Sequence, residues 1–404
     1  MSISRRQLLA WFAVAPALPR FLVDSAHAAA QTLTADQPIV VVVRMLGGND
    51  GLNTVVPIAD DRYFKARPTI ALARRDTLPL PGGELALNAH LVDVQRLIDD
   101  GVAGIVQSVG YPKSSRSHAR STEIWETGST ANEAPRYGWL GRYLDHHCDC
   151  LAEPIAGIQF GNEPGRTLAS RAGRSRSIGH PQLLLDMQPD DLMASKRGPR
   201  GPRFDYLLQV ENALGQASRQ LHRAAKGTGR GFDYPNTAFG QSLRWAGDMI
   251  ETGSPTRVYY VTIGSFDTPE SASFDTHSDQ VAKHRLLFSE LGQGLRAFTS
   301  HLKRAGQFDR TLLLTFSDFG RLVAENKTGG TEHGDASVLF YAGGKVRPGV
   351  LGQPADLGTV RDGAIQAAVD FRQVYADVLT NWLRVAPGTV LDEPVAPFRI
   401  TDIA

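Results

Sequence analysis

Short apolar runs, each closed by a turn signal, recur along this chain and set its architecture. Pro38-Ile-Val-Val-Val-Val-Arg-Met-Leu46, Gly104-Ile-Val-Gln-Ser-Val109, residues 154–160, Arg257-Val-Tyr-Tyr-Val-Thr-Ile-Gly264, Thr311-Leu-Leu-Leu-Thr-Phe-Ser317 and Ser337-Val-Leu-Phe-Tyr341 are largely apolar or β-branched. Runs of this length predict strands buried on both faces, and so a sheet covered by helices on each side. Between them the spacing becomes helical. Leu91, Val94, Leu97 and Ile98 share a face, as do Leu287, Leu291, Leu295, Phe298 and Leu302, with Gly306 just past the end. Residues 204–225, 237–251 and 371–383 read the same way, the last with Val374, Val378 and Trp382 on one side. Strand–helix–strand order predicts a parallel sheet. Residues 57–88 read as loop and short turns. The stretch 161–203, rich in Arg, Gly and Pro, reads as a basic insertion in one domain spanning 31–404. It is either a solvated excursion or a cap offering guanidinium groups to an anionic substrate.

Polar residues collect where the strands end, and ligands in open α/β sheets bind beyond the carboxyl ends of strands. Gly47-Gly-Asn-Asp50 follows the first strand; alone, Asp50 reads as a turn or helix cap. Ser117-His118 opens a polar helix running to Gly128, where a hydroxyl is either a cap or a nucleophile facing an anion. Asp275-Thr-His277 lies beyond the strand at 257–264; carboxylate and imidazole two apart suit one zinc or manganese ion, or a capping acid beside a surface histidine. Asp318 ends the strand from Thr311, and His333 precedes the strand from Ser337. Acids gathered on one rim repel unless cations neutralise them.

Charge narrows the possibilities. A 404-residue chain with net charge +1, 42% hydrophobic and 21% charged residues has the make-up of a globular protein, with no electrostatic case for nucleic acid. Arg5-Arg6 before a modest apolar stretch that ends at Ala26-His27-Ala28 looks like a twin-arginine export signal over residues 1–30. Cleavage near Ala28, after passage through the twin-arginine translocase, would leave a periplasmic or secreted protein; Pro16 and Pro19 argue against a stable transmembrane anchor. Cys148 and Cys150 are poorly placed to bridge each other and lack the two-plus-two spacing of a structural zinc site; with His146 and His147 they read as a helix end bearing thiols. No haem or iron–sulfur cysteine pattern supports a redox protein.

Taken in order, Asp50, Ser117-His118, Asp275 with His277, Asp318 and His333 resemble the metal and nucleophile positions of the alkaline phosphatase and sulfatase-like superfamily. Ser117-His-Ala-Arg-Ser-Thr-Glu-Ile-Trp-Glu-Thr-Gly128 is similar to its nucleophile helix, which also ends Trp-x-Thr-Gly. More closely, Leu46-Gly-Gly-Asn-Asp-Gly51, Gln107-Ser-Val-Gly-Tyr-Pro112, Phe274-Asp-Thr-His277 and Ser317-Asp-Phe-Gly-Arg321 resemble the bacterial domain of unknown function 1501, often exported by twin-arginine signals.

The resemblance implies a three-layer α/β/α sandwich with a mixed, mainly parallel sheet, and one or two divalent ions (Zn, Mn or Ca). It implies Asp275, His277 and His333 on one ion and Asp50 with Asp318 on a second. Ser117 would be nucleophile, His118 ligand or general acid, and Arg116, Arg120 or Arg321 a clamp for anionic oxygens. The implied activity is hydrolysis of phosphate or sulfate esters; the alternative is a degenerate relative binding an anion, an envelope glycan or a protein partner. Three departures bear on this. Phe319 stands where hydrolytic relatives carry a metal histidine, His118 occupies the nucleophile register, and Asp275 and His277 are two apart rather than four.

Overall fold

Four consecutive valines in β1 (Ile39–Met45) favour extended backbone, and their side chains alternate between two faces. In the computed structural model both faces are covered. The described residues are 37–147, 155–161, 165–179, 181–186, 215–266 and 272–403. Ile39, Val41, Val43 and Met45 pack into a core built with α2 (Val92–Asp99), α5 (Ala238–Glu251), α6 (Gln280–Arg304) and helical residues 215–224. Val40 and Val42 face the opposite core, formed with α3 (His118–Thr127), α4 (Trp139–His147) and α7 (Phe371–Asp377). The result is a three-layer α/β/α sandwich, as the continuous apolar strands required.

Outside a small side sheet, the other strands are β2 (Ala103–Gly110), β3 (Gly157–Phe160), β4 (Ser175–Ile178), β5 (Val258–Ile263), β6 (Thr311–Ser317), β7 (Arg321–Glu325), β8 (Thr331–His333), β9 (Ser337–Gly343), β10 (Gly349–Leu351) and β11 (Val369–Asp370). The main sheet runs β10-β2-β9-β6-β1-β5-β3-β4, with β11 beside β2. Only β9 is antiparallel to its neighbours, so the sheet is mixed and mainly parallel. The carboxyl ends of β1, β2, β5 and β6 therefore share one edge with the start of β9.

Three features differ from the sequence expectation. Residues 57–88 hold a short helix, α1 (Asp61–Ala66), and most of a three-stranded side sheet with Val55–Val56. The described part of 161–203 supplies β4, an edge strand in register with β3. β7 and β8 form a hairpin that sets Arg321 opposite His333. Residues 1–30, Cys148 and Cys150 lie outside the described residues. Among the described residues no helix is long and apolar enough to cross a membrane.

Candidate metal centre

Loops leaving the sheet edge bring Asp275, His277 and His333 together. Asp275 Oδ1 lies 3.1 Å from His277 Nε2 and 3.2 Å from His333 Nε2, and those two nitrogens are 2.9 Å apart. The outer nitrogens are both tied down. His333 Nδ1 is 2.8 Å from the Arg116 carbonyl oxygen, and His277 Nδ1 is 3.0 Å from Glu332 Oε2. A carbonyl or a carboxylate can only accept, so each Nδ1–H donates outward, which leaves Nε2 as the ring atom facing the cluster. The two Nε2 atoms and a carboxylate oxygen face one another at about 3 Å, an arrangement that an ion between them would satisfy. Ligand atoms held about 2.0–2.2 Å from one ion stand roughly 3 Å apart. The residues fit the metal that the resemblance implies.

His118, the first residue of α3, joins the same cluster. Its Nδ1 is 2.9 Å from Asp318 Oδ2, and its Nε2 lies 3.3 Å from Asp275 Oδ2 with no hydrogen-bond partner although buried. Potential ligand atoms of His118, Asp275 and His333 fall within 4.8 Å of one another. The approach of Asp275, then of Asp318, pushes the His118 imidazole up to about 9. Burial would raise the Asp275 carboxyl, but His118, His333 and Arg321 outweigh it and hold that carboxyl far below its ordinary range. Both shifts follow from imidazole and guanidinium groups standing close to one carboxylate.

Two backbone features make the cluster possible. Gly47, at φ +100°, lets the Asp275 main chain approach so closely that a Cβ there would stand 2.4 Å from Asp275 N. Gly48 makes room for Phe319, whose ring packs 4.8 Å from the His118 ring and 4.4 Å from that of His333. A Cβ on Gly48 would sit 2.4 Å from the Phe319 ring, which is enclosed and cannot swing away. Gly48→Ala is therefore expected to lower stability by about 1–3 kcal/mol, measured by chemical denaturation.

Several expected site residues lie elsewhere. Asp50 faces Arg67, with Nη1 2.5 Å from Oδ2 and Nη2 3.1 Å from Oδ1, and it accepts a further bond from Gln280 Nε2 at 2.5 Å. It also caps the turn at Leu52, accepting from that backbone N–H, so its contacts are those of the cap reading. Burial pushes its carboxyl up, but Arg67, aided by Gln280, more than offsets this and keeps it below its ordinary value. Asp318 is an outer partner of His118, with Oδ2 2.9 Å from its Nδ1 and Oδ1 accepting from the Thr122 hydroxyl at 2.8 Å. Phe319 offers no donor to a second ion, and Arg67 already supplies the positive charge that Asp50 needs.

The proposed nucleophile and clamp are corrected too. Ser117 is exposed and its hydroxyl caps nothing in α3; Ser121 is buried against Tyr111 at 2.7 Å. Arg116 is forked onto Asp335, and Arg120 onto Glu123 and the carbonyls of Ala131 and Glu133. Arg321, fully enclosed, donates to the carbonyls of Gly48, Thr331 and Phe274 and to Asp275 at 2.6 Å. All three guanidinium groups hold the loops together. Calcium takes oxygen ligands, whereas imidazole donors suit zinc and similar ions.

Beneath the cluster, His284 on α6 is 1% exposed and neither ring nitrogen has a hydrogen-bond partner. Burial lowers its pKa from 6.5 to about 4, so the folded ring stays neutral where an unfolded one takes a proton. Stability contributed by this ring is thus intact above pH 6.5 and falls as the pH drops towards about 4, by about 3 kcal/mol in all. His284→Leu is expected to flatten that part of the stability–pH curve, measured by denaturation from about pH 4 to pH 7.

Residues 203–393 match the family model described as "Protein of unknown function (DUF1501)". The matched stretch is a little under half of the chain. The DUF1501 match contains Asp275, His277, Asp318 and His333, whereas Asp50 and His118 precede it. No curated protein matches by sequence. Among solved structures, the chain is similar to the phosphonate monoester hydrolase SpPMH from Silicibacter pomeroyi, with 11% identity, TM-score 0.40, and coverage of 90% of this chain and 78% of that one. It is similar to a protein in the alkaline phosphatase superfamily from Vibrio parahaemolyticus, with 10% identity, TM-score 0.38, and 89% and 71% coverage. It is also similar to the C-terminal periplasmic domain of EcEptC from Escherichia coli in complex with Zn, with 10% identity, TM-score 0.38, and 77% and 74% coverage.

Proposed function

We propose that this protein is an exported, metal-dependent hydrolase of phosphate or sulfate esters that works with one divalent ion. The observation supporting this is the convergence of the His277 and His333 Nε2 atoms on Asp275 Oδ1, with both Nδ1 protons tied off behind them. A bound ion supplies Lewis acidity towards a phosphoryl or sulfuryl oxygen and lowers the pKa of water. Asp275 and the imidazoles hold the charge. His277 and His118, with side chains 40% and 32% exposed, leave one side of the cluster open to substrate. The first N–H groups of α3 have no partner within the helix and favour a bound anion. With Ser117 turned to solvent, water is the attacking group. Export rests on Arg5-Arg6, with removal near Ala28.

Testing this requires the purified protein, loaded with zinc or manganese and offered aryl phosphate, phosphodiester and aryl sulfate esters. Turnover lost on chelation and restored by the ion is the expected result. The second reading, a catalytically silent protein that binds an anion, an envelope glycan or a protein partner, is favoured by the engagement of Arg116, Arg120 and Arg321 in internal contacts. Stoichiometric ion without turnover across that panel would replace the first reading with the second.

A further inference from the structure

A histidine stands at the head of α3, where the resemblance places a nucleophile, and its wiring matches that of the two histidines already assigned to the ion. His333 turns Nδ1 to the Arg116 carbonyl, His277 turns Nδ1 to Glu332, and His118 turns Nδ1 to Asp318. In each the outer nitrogen meets an acceptor and the inner nitrogen points at Asp275. Metal-bound histidines commonly donate their second N–H in this way, which fixes the ring and the tautomer. His118 Nε2 is also buried, with no hydrogen bond of good geometry, and stands 3.3 Å from Asp275 Oδ2.

Asp318 supports the same assignment. It is 1% exposed, with one oxygen on His118 Nδ1 and the other accepting from Thr122, while Arg44 stands 3.8 Å away. Its lone pairs are directed at the ring and at α3. The His118 ring packs against Phe319 and lies edge-on to His333 at 4.6 Å.

We infer that His118 is a fourth protein ligand, completing a centre of three imidazoles and one carboxylate, and that Asp318 is a positioning residue acting through His118. This rests on the metal reading above. It assigns to the head of α3 a structural duty in place of a nucleophilic one, and it means that ion binding anchors α3 to the loops carrying Asp275 and His333.

X-ray absorption of the zinc-loaded protein, with zinc affinity measured by competition against a chelating dye, tests the inference in wild type, His118→Ala, Asp318→Asn and Asp275→Ala. Three imidazoles are expected in wild type and two in His118→Ala, with affinity falling beyond the about 10–100-fold typical of losing an outer partner. Asp318→Asn should keep three imidazoles and lose about 10–100-fold in affinity. Two imidazoles in both wild type and His118→Ala, at equal affinity, would overturn the inference while leaving the metal reading intact. Failure of wild type to bind zinc would instead remove the reading on which it rests. Far-ultraviolet circular dichroism of each variant separates loss of a ligand from loss of the fold.

Discussion

Asp275→Ala is expected to abolish ion binding while the sheet stays folded. Its Oδ1 alone touches both the His277 and His333 Nε2 atoms, and its Oδ2 faces His118, so no other side chain replaces it. Removing it does more than subtract a ligand. Arg321 lies 2.6 Å from that carboxylate and is fixed by the carbonyls of Gly48, Thr331 and Phe274, so its charge would remain beside the cluster and repel a cation. Thermal denaturation with and without zinc checks this. An ion at about a thousand times its dissociation constant adds roughly 4 kcal/mol to a protein that binds it only when folded. Wild type should show a zinc-dependent rise in melting temperature and Asp275→Ala none.

Arg67→Met is the variant with the largest expected cost in stability. Both partners of the Arg67–Asp50 pair are enclosed, with side-chain exposures of 0% and 1%, and Asp50 would be left charged without its main counter-ion. Breaking a buried pair in this way costs about 3–5 kcal/mol, whereas replacing both members with neutral groups costs less. Arg67→Met with Asp50→Asn should therefore be more stable than Arg67→Met alone, measured by urea denaturation. Asp50→Asn on its own should keep the full complement of ion, since Asp50 is a partner of Arg67 and Gln280. A loss of ion in Asp50→Asn would return Asp50 to the metal centre.

The layers of this fold were legible because β1, β5 and β6 are apolar on both faces, which only a sheet covered on both sides can satisfy. The rim was legible for the same reason, since a polar residue directly after such a strand must lie at its open end. Asp275, His277 and His333 lie within about 3 Å of one another at that rim. Arg67 could not be foreseen: it sits in a stretch without periodicity, and its pairing with Asp50 depends on how α1 packs against β7. The same holds for the arginines. Their positions near site residues suggested an anion clamp, but carbonyls of Gly48, Thr331 and Phe274, far apart in the chain, hold Arg321. His118 and Phe319 were visible as departures from the superfamily pattern; only three-dimensional contacts show that they enclose one cluster.

The most direct test is elemental analysis of the purified protein, without added metal or chelator. One zinc, iron or similar ion per chain is the predicted result. Two ions per chain would contradict the assignment of Asp50 to Arg67, and a folded protein that neither carries nor takes up an ion would contradict the metal centre itself.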